Sequence, residues 1–385
     1  MKRLMSLLLV ACISLSTTAC EYRDIDKILF ITAILVDVGD KEGTYDVYFE
    51  AFRPSSSGGA VDQAGDRLIY GVTDVNVMEA TDLLNNYANL TLKFSQTKML
   101  LFTRRAAELG LEKHINLWHH ANDFTVRTYI AIWDADPKKF EEVQLEGEKH
   151  LGIYLRTHID NTEASTSHIK VVTMIDIMNA SAIEGKILPI PMVKPIEKGK
   201  AQIIDFPGVA LVRQYKMVGE IPSDKSNYLM YMLDHVRSDF IGIKNPSAED
   251  AETVIVTMKS KTKTILSPSQ DGMKVRKIVQ AKAMLYGTQD KFIPSREAIA
   301  DMEKQLNQEL KEQCMDLYET YTSMGLDIFN LGESIYRRYP WFDQTDLFTK
   351  IDFSVEAHFE IQGSNYKLGF NLNPVNESHQ SKKRR

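Results

Sequence analysis

The sequence is poor in cysteine, proline and glycine, and it has no excess of positive charge. Its 385 residues include 3 cysteines, 12 prolines and 20 glycines, which excludes collagen-like and low-complexity chains. A mean hydropathy of -0.24 excludes a multi-span membrane protein. With 44% hydrophobic residues the chain can bury ordinary cores, and at this length we expect two or three domains.

The charge balance argues against nucleic acid as a partner. The chain has 46 basic and 52 acidic residues, a formal net charge of -6, whereas affinity for phosphate backbones requires clustered Lys and Arg. The one dense basic run, Lys382 to Arg385, follows a polar stretch. We interpret residues 374–385 as a polar and basic frayed tail. The alternative is a contact with anionic lipid or with a partner.

Local signatures of catalysis are missing as well. The sequence has no His-Glu-x-x-His, Gly-x-Ser-x-Gly, P-loop or Gly-x-Gly-x-x-Gly pattern. The pair His119-His120, with His114 five residues before His119, comes nearest to a metal cluster. Adjacent histidines point to different faces of a helix and no ligand completes the set at diagnostic spacing, so a structural or solvated role is favoured. Asp136 before Pro137 is interpreted as a helix cap. We therefore expect no enzyme, no cofactor and no metal.

The N-terminus has the pattern of a bacterial lipoprotein signal peptide. Residues 1–3 supply positive charge, and residues 4–11 form an apolar stretch too short for a permanent membrane helix. Cys12 and Cys20 each follow a small residue, as lipoprotein processing requires. Cys12 has the better upstream Leu, but cleavage there leaves an apolar core at the lower limit of length. Cys20 is therefore preferred as the acylated residue, and Cys314 is interpreted as a small core residue.

The mature chain mixes predicted strands and helices, which indicates a multidomain α+β fold with mixed or antiparallel sheets. Residues 28–37 predict a strand covered on both faces, and residues 45–52 complete a hairpin with it. Pro189 and Pro191 argue against a central strand in their segment. The predicted division is a signal peptide 1–19, an N-terminal α+β region 20–205 that could divide again near 150–200, and a C-terminal α+β domain 206–373.

The C-terminal domain is predicted to pack one long helix on an antiparallel sheet. Residues 253–266 and 274–286 predict two long strands joined by a turn. The lysines of the first of these strands are interpreted as a solvated face: Lys259, Lys261 and Lys263. Apolar residues recur at helical spacing from 294 to 324, and Gly325 is a plausible C-cap. Strict alternation over 351–361 predicts a half-buried strand of an antiparallel sheet.

Three segments of the sequence carry a family resemblance. Cys20 to Ile28 combines the cysteine, an aromatic residue and an acidic-basic cluster before a strand. Phe206 to Leu211 precedes Val218-Gly219-Glu220, and Gly325 to Gly332 precedes Arg337-Arg338-Tyr339-Pro340. In order and spacing, these segments resemble the C subunits of spore germinant receptors, the Ger(x)C lipoprotein family. The chain departs from the family pattern at Thr17 and Glu21, and at Asn330-Leu331, where the family has Gly-Phe.

The resemblance implies a non-enzymatic subunit held by diacylglycerol on Cys20 at the outer face of the spore's inner membrane. It further implies action with polytopic A and B subunits that sense nutrients and trigger germination; direct small-molecule binding by this subunit is not implied. Within the Asp327 to Gly332 segment, Asp327, Phe329 and Gly332 are candidate partner contacts. The alternative is that the apolar residues of this segment are simply core.

Two other classes of function fit this sequence less well. A solute-binding lipoprotein of a transporter is expected to have two similar α/β lobes around a cleft, whereas this sequence predicts an unlike second half. An anchored hydrolase requires a nucleophile or metal constellation, which the sequence motifs do not provide.

Overall fold

The computed structural model describes residues 27–53, 66–88, 90–120, 123–248, 250–270 and 272–364, which form a ten-stranded and a four-stranded sheet. The strands are β1 Ile28–Val38, β2 Tyr45–Phe52, β3 Arg67–Asp74, β4 Thr91–Lys93, β5 Met99–Thr103, β6 Tyr129–Trp133, β7 Ile187–Lys198, β8 Ala201–Asp205, β9 Gly208–Arg213, β10 Lys216–Pro222, β11 Asp239–Lys244, β12 Glu252–Pro268, β13 Met273–Thr288 and β14 Ile351–Ser364. The helices are α1 Val77–Ala88, α2 Arg104–Leu109, α3 Glu112–His120, α4 Lys138–Glu142, α5 Leu151–Ser165, α6 Met174–Ser181, α7 Ser223–Met232, α8 Arg296–Ser323 and α9 Leu331–Arg338. The α+β fold class is confirmed.

The first sheet has the strand order β10-β9-β7-β6-β5-β1-β2-β3, with β4 beside β1 and β8 beside β7. Strands β1, β5, β6 and β7 run parallel, and the outer pairs are antiparallel. Successive side chains of β1 enter cores on opposite faces: Ala33 and Leu35 on one, Ile34 and Val36 on the other, all fully buried. The prediction of a strand covered on both faces is confirmed, and so is the β1–β2 hairpin.

The prediction about Pro189 and Pro191 is wrong, because both lie in β7, an interior strand between β6 and β9. The strand tolerates them because its two edges are used by different stretches of residues. Residues 187–191 pair with β9, whereas pairing with β6 involves only Met192 and Val193. The N–H of Ile187 points away from β9, toward a side-chain oxygen of Asn330, and alternate residues of a strand face the same edge. The nitrogens of Pro189 and Pro191 therefore face the β6 side of the strand, where residues 187–191 make no strand pairing and no N–H donor is required.

A buried carboxylate fixes helix α5, which the sequence patterns did not reveal. Glu50 on β2 is fully buried, and it accepts hydrogen bonds from the N–H groups of Leu151 (2.7 Å) and Gly152 (2.8 Å). Thr32 Oγ1 and Arg67 Nε also donate to it, both at 2.6 Å. The carboxylate thus satisfies the free amides and the positive end of the helix dipole.

The second sheet has the order β11-β12-β13-β14, with α8 along one face and β14 parallel to β13. The long hairpin of β12 and β13 is confirmed, as is the long helix. The antiparallel pairing predicted for the last strand is wrong, and the sheet is mixed. Alternation of apolar and polar residues along β14 shows that one face of the strand is buried. The same alternation is expected whether the strand runs parallel or antiparallel to its neighbour. The return direction depends on the path through α8 and α9, which alternation does not encode.

Side chains of α8 cover part of the outer edge of this sheet. Asn307 Oδ1 accepts a hydrogen bond from the N–H of Phe359 at 2.8 Å, and Glu303 Oε1 accepts one from the N–H of Ile361 at 2.8 Å. These amides of β14 face away from β13 and would otherwise remain open to another strand.

The structure shows the surroundings of the three histidines that came nearest to a metal cluster in the sequence. His114 is buried in α3, its ring 4.4 Å from that of Tyr45 in an edge-on arrangement. Neither of its ring nitrogens has a hydrogen-bond partner among the described residues. His119 and His120 lie at the end of the same helix and are exposed. Burial lowers the pKa of His114 to about 4, so the ring is a neutral core side chain at pH 7.

We expect His114→Phe to reduce the loss of stability at low pH. Between pH 6.5 and 4 the unfolded chain binds a proton at His114 and the folded chain does not, so stability falls as the pH falls through this window. For a shift from 6.5 to about 4 this contributes up to about 3 kcal/mol. The check is the urea midpoint of both proteins at pH 7 and pH 4.5.

The comparison between the two proteins isolates this effect from other buried groups. Burial also lowers the pKa of His235 to about 4 and raises that of Asp239 to about 6, so these residues act with opposite signs in the same range. Both are unchanged in His114→Phe. An equal loss of stability in the two proteins would contradict the assignment of His114 as a buried neutral group.

Candidate functional site

Several predicted features fall outside the residues that the structure describes. These are the signal peptide, Cys12, Cys20 and the tail 374–385. The described part of the candidate site is the segment from Gly325 to Glu333, which we call the junction segment. It follows α8 and enters α9.

The junction segment begins at a helix stop built on Gly325. This residue has φ = +71°, a left-handed conformation that favours glycine. Its N–H donates to Thr322 O and the next amide, of Leu326, donates to Tyr321 O, both at 2.9 Å. Leu326 is itself buried. This pattern is a Schellman motif, which confirms Gly325 as the C-cap.

Asp327 holds the start of α9. Its two carboxylate oxygens accept hydrogen bonds from the N–H groups of Leu331 at 2.9 Å and Gly332 at 2.7 Å. Burial raises the pKa of Asp327, an effect opposed by these two bonds and by the charge of Lys277. A side chain on Gly332 would press against Gln344 and Asp327. Asp327 and Gly332 therefore act together as a capping unit.

Lys277 is the buried cation beneath this cap. It projects from the inner face of β13 and donates to the carbonyl of Met232 at 2.8 Å. Burial lowers its pKa to about 8, with Asp327 as the main opposing charge. The positive charge of Lys277 in turn favours the ionised form of Asp327.

Asn330 joins the junction segment to the first sheet. Its side chain accepts from the N–H of Ile187 at 2.9 Å and donates to the carbonyl of the same residue at 3.1 Å, as a neighbouring strand would. Its backbone is left-handed, with φ = +51°. Nearby, Lys186 forms an ion pair with Glu333 at 2.8 Å. The first residues of β7 are thus clamped from the C-terminal half of the chain.

Phe329 fills the space between the junction segment and the second sheet. It is 2% exposed, and its ring lies 5.7 Å from that of Phe353 and 6.4 Å from that of Tyr318. Ile328 and Leu331 are also buried. The structure thus brings Asp327, Phe329 and Gly332 together, but as internal parts of a junction. This burial favours the core alternative over a surface for partners.

Further links from the end of α8 reach the edge of the first sheet. Tyr321 Oη donates to the carbonyl of Glu220 at 2.5 Å, and Arg213 donates to the carbonyl of Gly325 at 3.3 Å. The ten-stranded sheet itself crosses the predicted boundary at residue 206, because β9 and β10 form its edge. One buried cluster runs from β1 to β14, so the two sheets share a continuous core.

The sequence patterns missed Asn330 and Glu50, which both hold together parts of the chain that are more than 100 residues apart. Asn330 had a signal, because it stands where the related pattern has glycine, and asparagine tolerates the left-handed conformation. Glu50 had none, since an acidic residue in an alternating strand is ordinarily assigned to the solvent face.

No cluster of three or more metal-binding side chains occurs among the described residues, and no helix in those ranges is long and apolar enough to cross a membrane. Cys314 is buried in α8, and burial raises the pKa of its thiol above the usual value. It behaves as a core residue rather than a nucleophile. Asp136 accepts from the N–H of Lys138 at 2.9 Å, which confirms it as a helix cap.

A surface cavity of about 460 Å³ lies between α4 and the β7–β8 hairpin. Its lining includes Lys139, Glu142, Lys194, Glu197 and Gln202. A solute site is ordinarily a largely apolar pocket with a few convergent polar groups, whereas four of the eight residues that line this cavity are charged, two of each sign. The two sheets also differ in size and topology, unlike paired lobes around a cleft. The solute-binding alternative is therefore not favoured.

The fold and its junction define a class of protein: an α+β chain of two sheets that share one of its two buried cores. Residues 21–195 match the family model described as spore germination protein N-terminal domain. Residues 207–365 match the model described as spore germination B3/GerAC-like, C-terminal. The chain belongs to the Ger(x)C family of spore germination proteins, as the resemblance implied.

Two individual proteins extend this finding. The chain is 20% identical to Spore germination protein KC of Bacillus subtilis (strain 168) over 407 residues, which covers 99% of each chain. It also matches the crystal structure of the GerBC protein with a TM-score of 0.51 and 14% identity, over 85% of this chain and 97% of that one. The second match supports the fold, and family membership supports a role in spore germination.

Proposed function

We propose that this chain is a lipid-anchored, non-enzymatic subunit of a nutrient germinant receptor. The observation that carries the proposal is the end-to-end similarity to Spore germination protein KC, which covers 99% of both chains. In this proposal the chain acts with integral A and B subunits at the outer face of the spore's inner membrane. Its role is to hold a rigid two-sheet body beside them and to take part in triggering germination.

The lipid on Cys20 supplies the attachment in this proposal. Two or more acyl chains give stable binding where one gives marginal binding, because each buried CH₂ contributes about 0.8 kcal/mol. Residues 21–27 then connect the anchor to β1, which lies between β5 and β2 in the first sheet. The junction segment fixes the second sheet to the first, so a single anchor would position both.

The test is affinity capture of the C-terminally tagged chain from solubilised spore membranes, with intact mass measurement of its N-terminus. We expect a chain that begins at Cys20 and carries diacylglycerol, together with two polytopic membrane proteins. The Cys20→Ala variant should lose the lipid and the germination response. The matched variant Cys12→Ala should keep both, because Cys12 is removed with the signal peptide.

Other outcomes would count against the proposal in distinct ways. Acylation at Cys12 with the same two partners would correct the processing site and leave the receptor assignment standing. An unacylated chain, or one that copurifies with transporter subunits, would contradict the proposed function. Turnover of a substrate by the purified chain would contradict its non-enzymatic character.

A further inference from the structure

The outer face of the second sheet, opposite α8, carries a row of lysines. Cross-strand partners face the same side of a sheet, and the register places Lys259, Lys261 and Lys263 of β12 on this side with Lys282 of β13. We call these four residues the lysine face. All four are exposed. The three lysines of β12 span about 13 Å along the strand.

The register of the lysine face is unfavourable for stability. Lys259 lies directly opposite Lys282, and like charges in this position destabilise a sheet. Lys261 has an acidic partner in Asp234, at 2.5 Å. For Lys259 and Lys263 the described residues contain no ion pair. An unfavourable pair of like charges that no other contact within the chain offsets is expected at surfaces with a function, such as binding.

Acidic residues of β14 compensate the positive charge of β13 more than that of β12. On β14, Glu356 forms an ion pair with Arg276 at 3.0 Å, and Glu360 is the register partner of Lys282. Both carboxylates lie two strands away from β12. The charges of Lys259 and Lys263 are therefore less compensated by these carboxylates than those of the basic residues on β13.

Large apolar side chains lie at one end of the lysine face. Phe240 on β11 is 44% exposed, Met258 on β12 is 54% exposed and Tyr286 on β13 is 52% exposed. The rings of Phe240 and Tyr286 are 5.0 Å apart in an edge-on arrangement. Met258 sits at the bulge directly before Lys259. The apolar group and the lysines thus form one continuous surface.

Aromatic side chains also mark the hairpin end of β12. Tyr339 Oη donates to the carbonyl of Leu266 at 3.4 Å, and its ring lies 5.8 Å from that of Trp341. Trp341 is 69% exposed. The adjacent end of α9 carries Arg337 and Arg338. Tyr339 packs against the core on the inner side of the sheet, so these aromatic residues lie on the side of α9 and are not part of the lysine face.

We propose that the lysine face and the apolar group beside it, Phe240, Met258 and Tyr286, contact an anionic lipid surface. Exposed Tyr and Phe beside Lys are typical of surfaces that lie in a membrane interface. Lysine stems can extend over apolar contacts while the ammonium groups reach anionic headgroups. This surface rests on the proposed function only because the lipid on Cys20 would bring the chain to a membrane. Contact between the lysine face and the lipid would fix the orientation of the two sheets relative to the membrane plane.

The test uses the mature chain, residues 20–385, with Cys20→Ser so that no lipid is attached. Sedimentation with vesicles of phosphatidylcholine containing about 30% phosphatidylglycerol is compared with vesicles of phosphatidylcholine alone. We expect at least about tenfold stronger binding to the anionic vesicles, and weaker binding at high salt because the charges are exposed.

Charge-reversal variants locate the binding surface. The triple variant Lys259→Glu, Lys263→Glu and Lys282→Glu should lose the preference for anionic vesicles. The matched variant Lys200→Glu, Lys304→Glu and Lys311→Glu makes the same change in net charge at exposed positions elsewhere and should keep it. Circular dichroism and the thermal midpoint verify that both variants fold.

One single substitution separates a binding role from a structural one. Lys259→Gln should raise the thermal midpoint, because it relieves the repulsion with Lys282, and should weaken binding to anionic vesicles. The proposal would be overturned if the wild-type chain showed no preference for anionic vesicles, or if both triple variants lost that preference equally. An acidic protein would then be the remaining candidate partner for the lysine face. Because no lipid is attached to the chain in this assay, either result leaves the test of Cys20 acylation independent.

Discussion

Replacing Glu50 with glutamine is expected to lower the free energy of unfolding by about 3–5 kcal/mol. The carboxylate is fully buried and accepts from four donors, Thr32, Arg67 and the two amides of Leu151 and Gly152. Glutamine fills the same space, but its NH₂ group would face donors and not acceptors. It also leaves the guanidinium of Arg67, 14% exposed, without its counter-charge.

This loss is large compared with the usual total stability of a domain, about 5–15 kcal/mol. The measurement is chemical denaturation followed by circular dichroism, with Glu184→Gln as the control because Glu184 is exposed. The control should change the midpoint by a few tenths of a kcal/mol at most. An equal shift in both variants would show that the α5 terminus does not depend on Glu50.

The second large effect is expected at Asn330. Asn330→Ala removes both hydrogen bonds to Ile187 and places alanine at φ = +51°. An unpaired, partly buried peptide group costs about 1–3 kcal/mol, and the left-handed backbone costs a further 1–2 kcal/mol, approximately. Asn330→Gly loses the hydrogen bonds and avoids the backbone penalty. We therefore expect wild type to be most stable, the glycine variant next and the alanine variant least stable.

A second left-handed residue provides the matched control for Asn330. Asp346 has φ = +52° and is exposed, so Asp346→Ala measures the backbone cost with little change in packing. Denaturation gives the stability of each variant, and hydrogen exchange at the Ile187 amide reports the clamp itself. Faster exchange only at the start of β7 is the expected signature. If the glycine variant matches wild type in both measurements, the side chain of Asn330 does not hold the two halves together.

The elements that the sequence predicted well are those stabilised by nearby residues. The hairpin of β12 and β13, with its short turn, shows a clear period of two, and α8 has a long apolar stripe that begins at a Ser295 cap and stops at Gly325. For these elements the local pattern and the tertiary structure agree.

The elements that the sequence missed depend on distant partners. In α5 the buried positions are Leu151, Gly152, Leu155 and Ile159, a stripe too narrow to distinguish from chance. Its start is fixed by a carboxylate from β2, about 100 residues earlier. The prolines of β7 were misread because a central strand was assumed to need donors along its whole length. Periodicity reports which face is buried, and it does not report which edge is paired.

The candidate site shows the same limit in a different form. The motif from Asp327 to Gly332 contains residues with structural roles, but only the structure shows that Asp327 caps α9 and that Phe329 packs among aromatic rings. A short motif records which residue types are required. It does not distinguish a requirement for contact with a partner from one for internal geometry, because both restrict the same side chains.

Asn307 and Glu303 of α8, which cover part of the outer edge of β14, limit strand pairing between neighbouring molecules. A chain tethered to a membrane diffuses in two dimensions, where neighbours meet edge to edge far more often than they would in solution. Asn307 and Glu303 already occupy the amides of Phe359 and Ile361, so an approaching strand finds no donor there. This part of the β14 edge is therefore closed to pairing with a strand of a second copy.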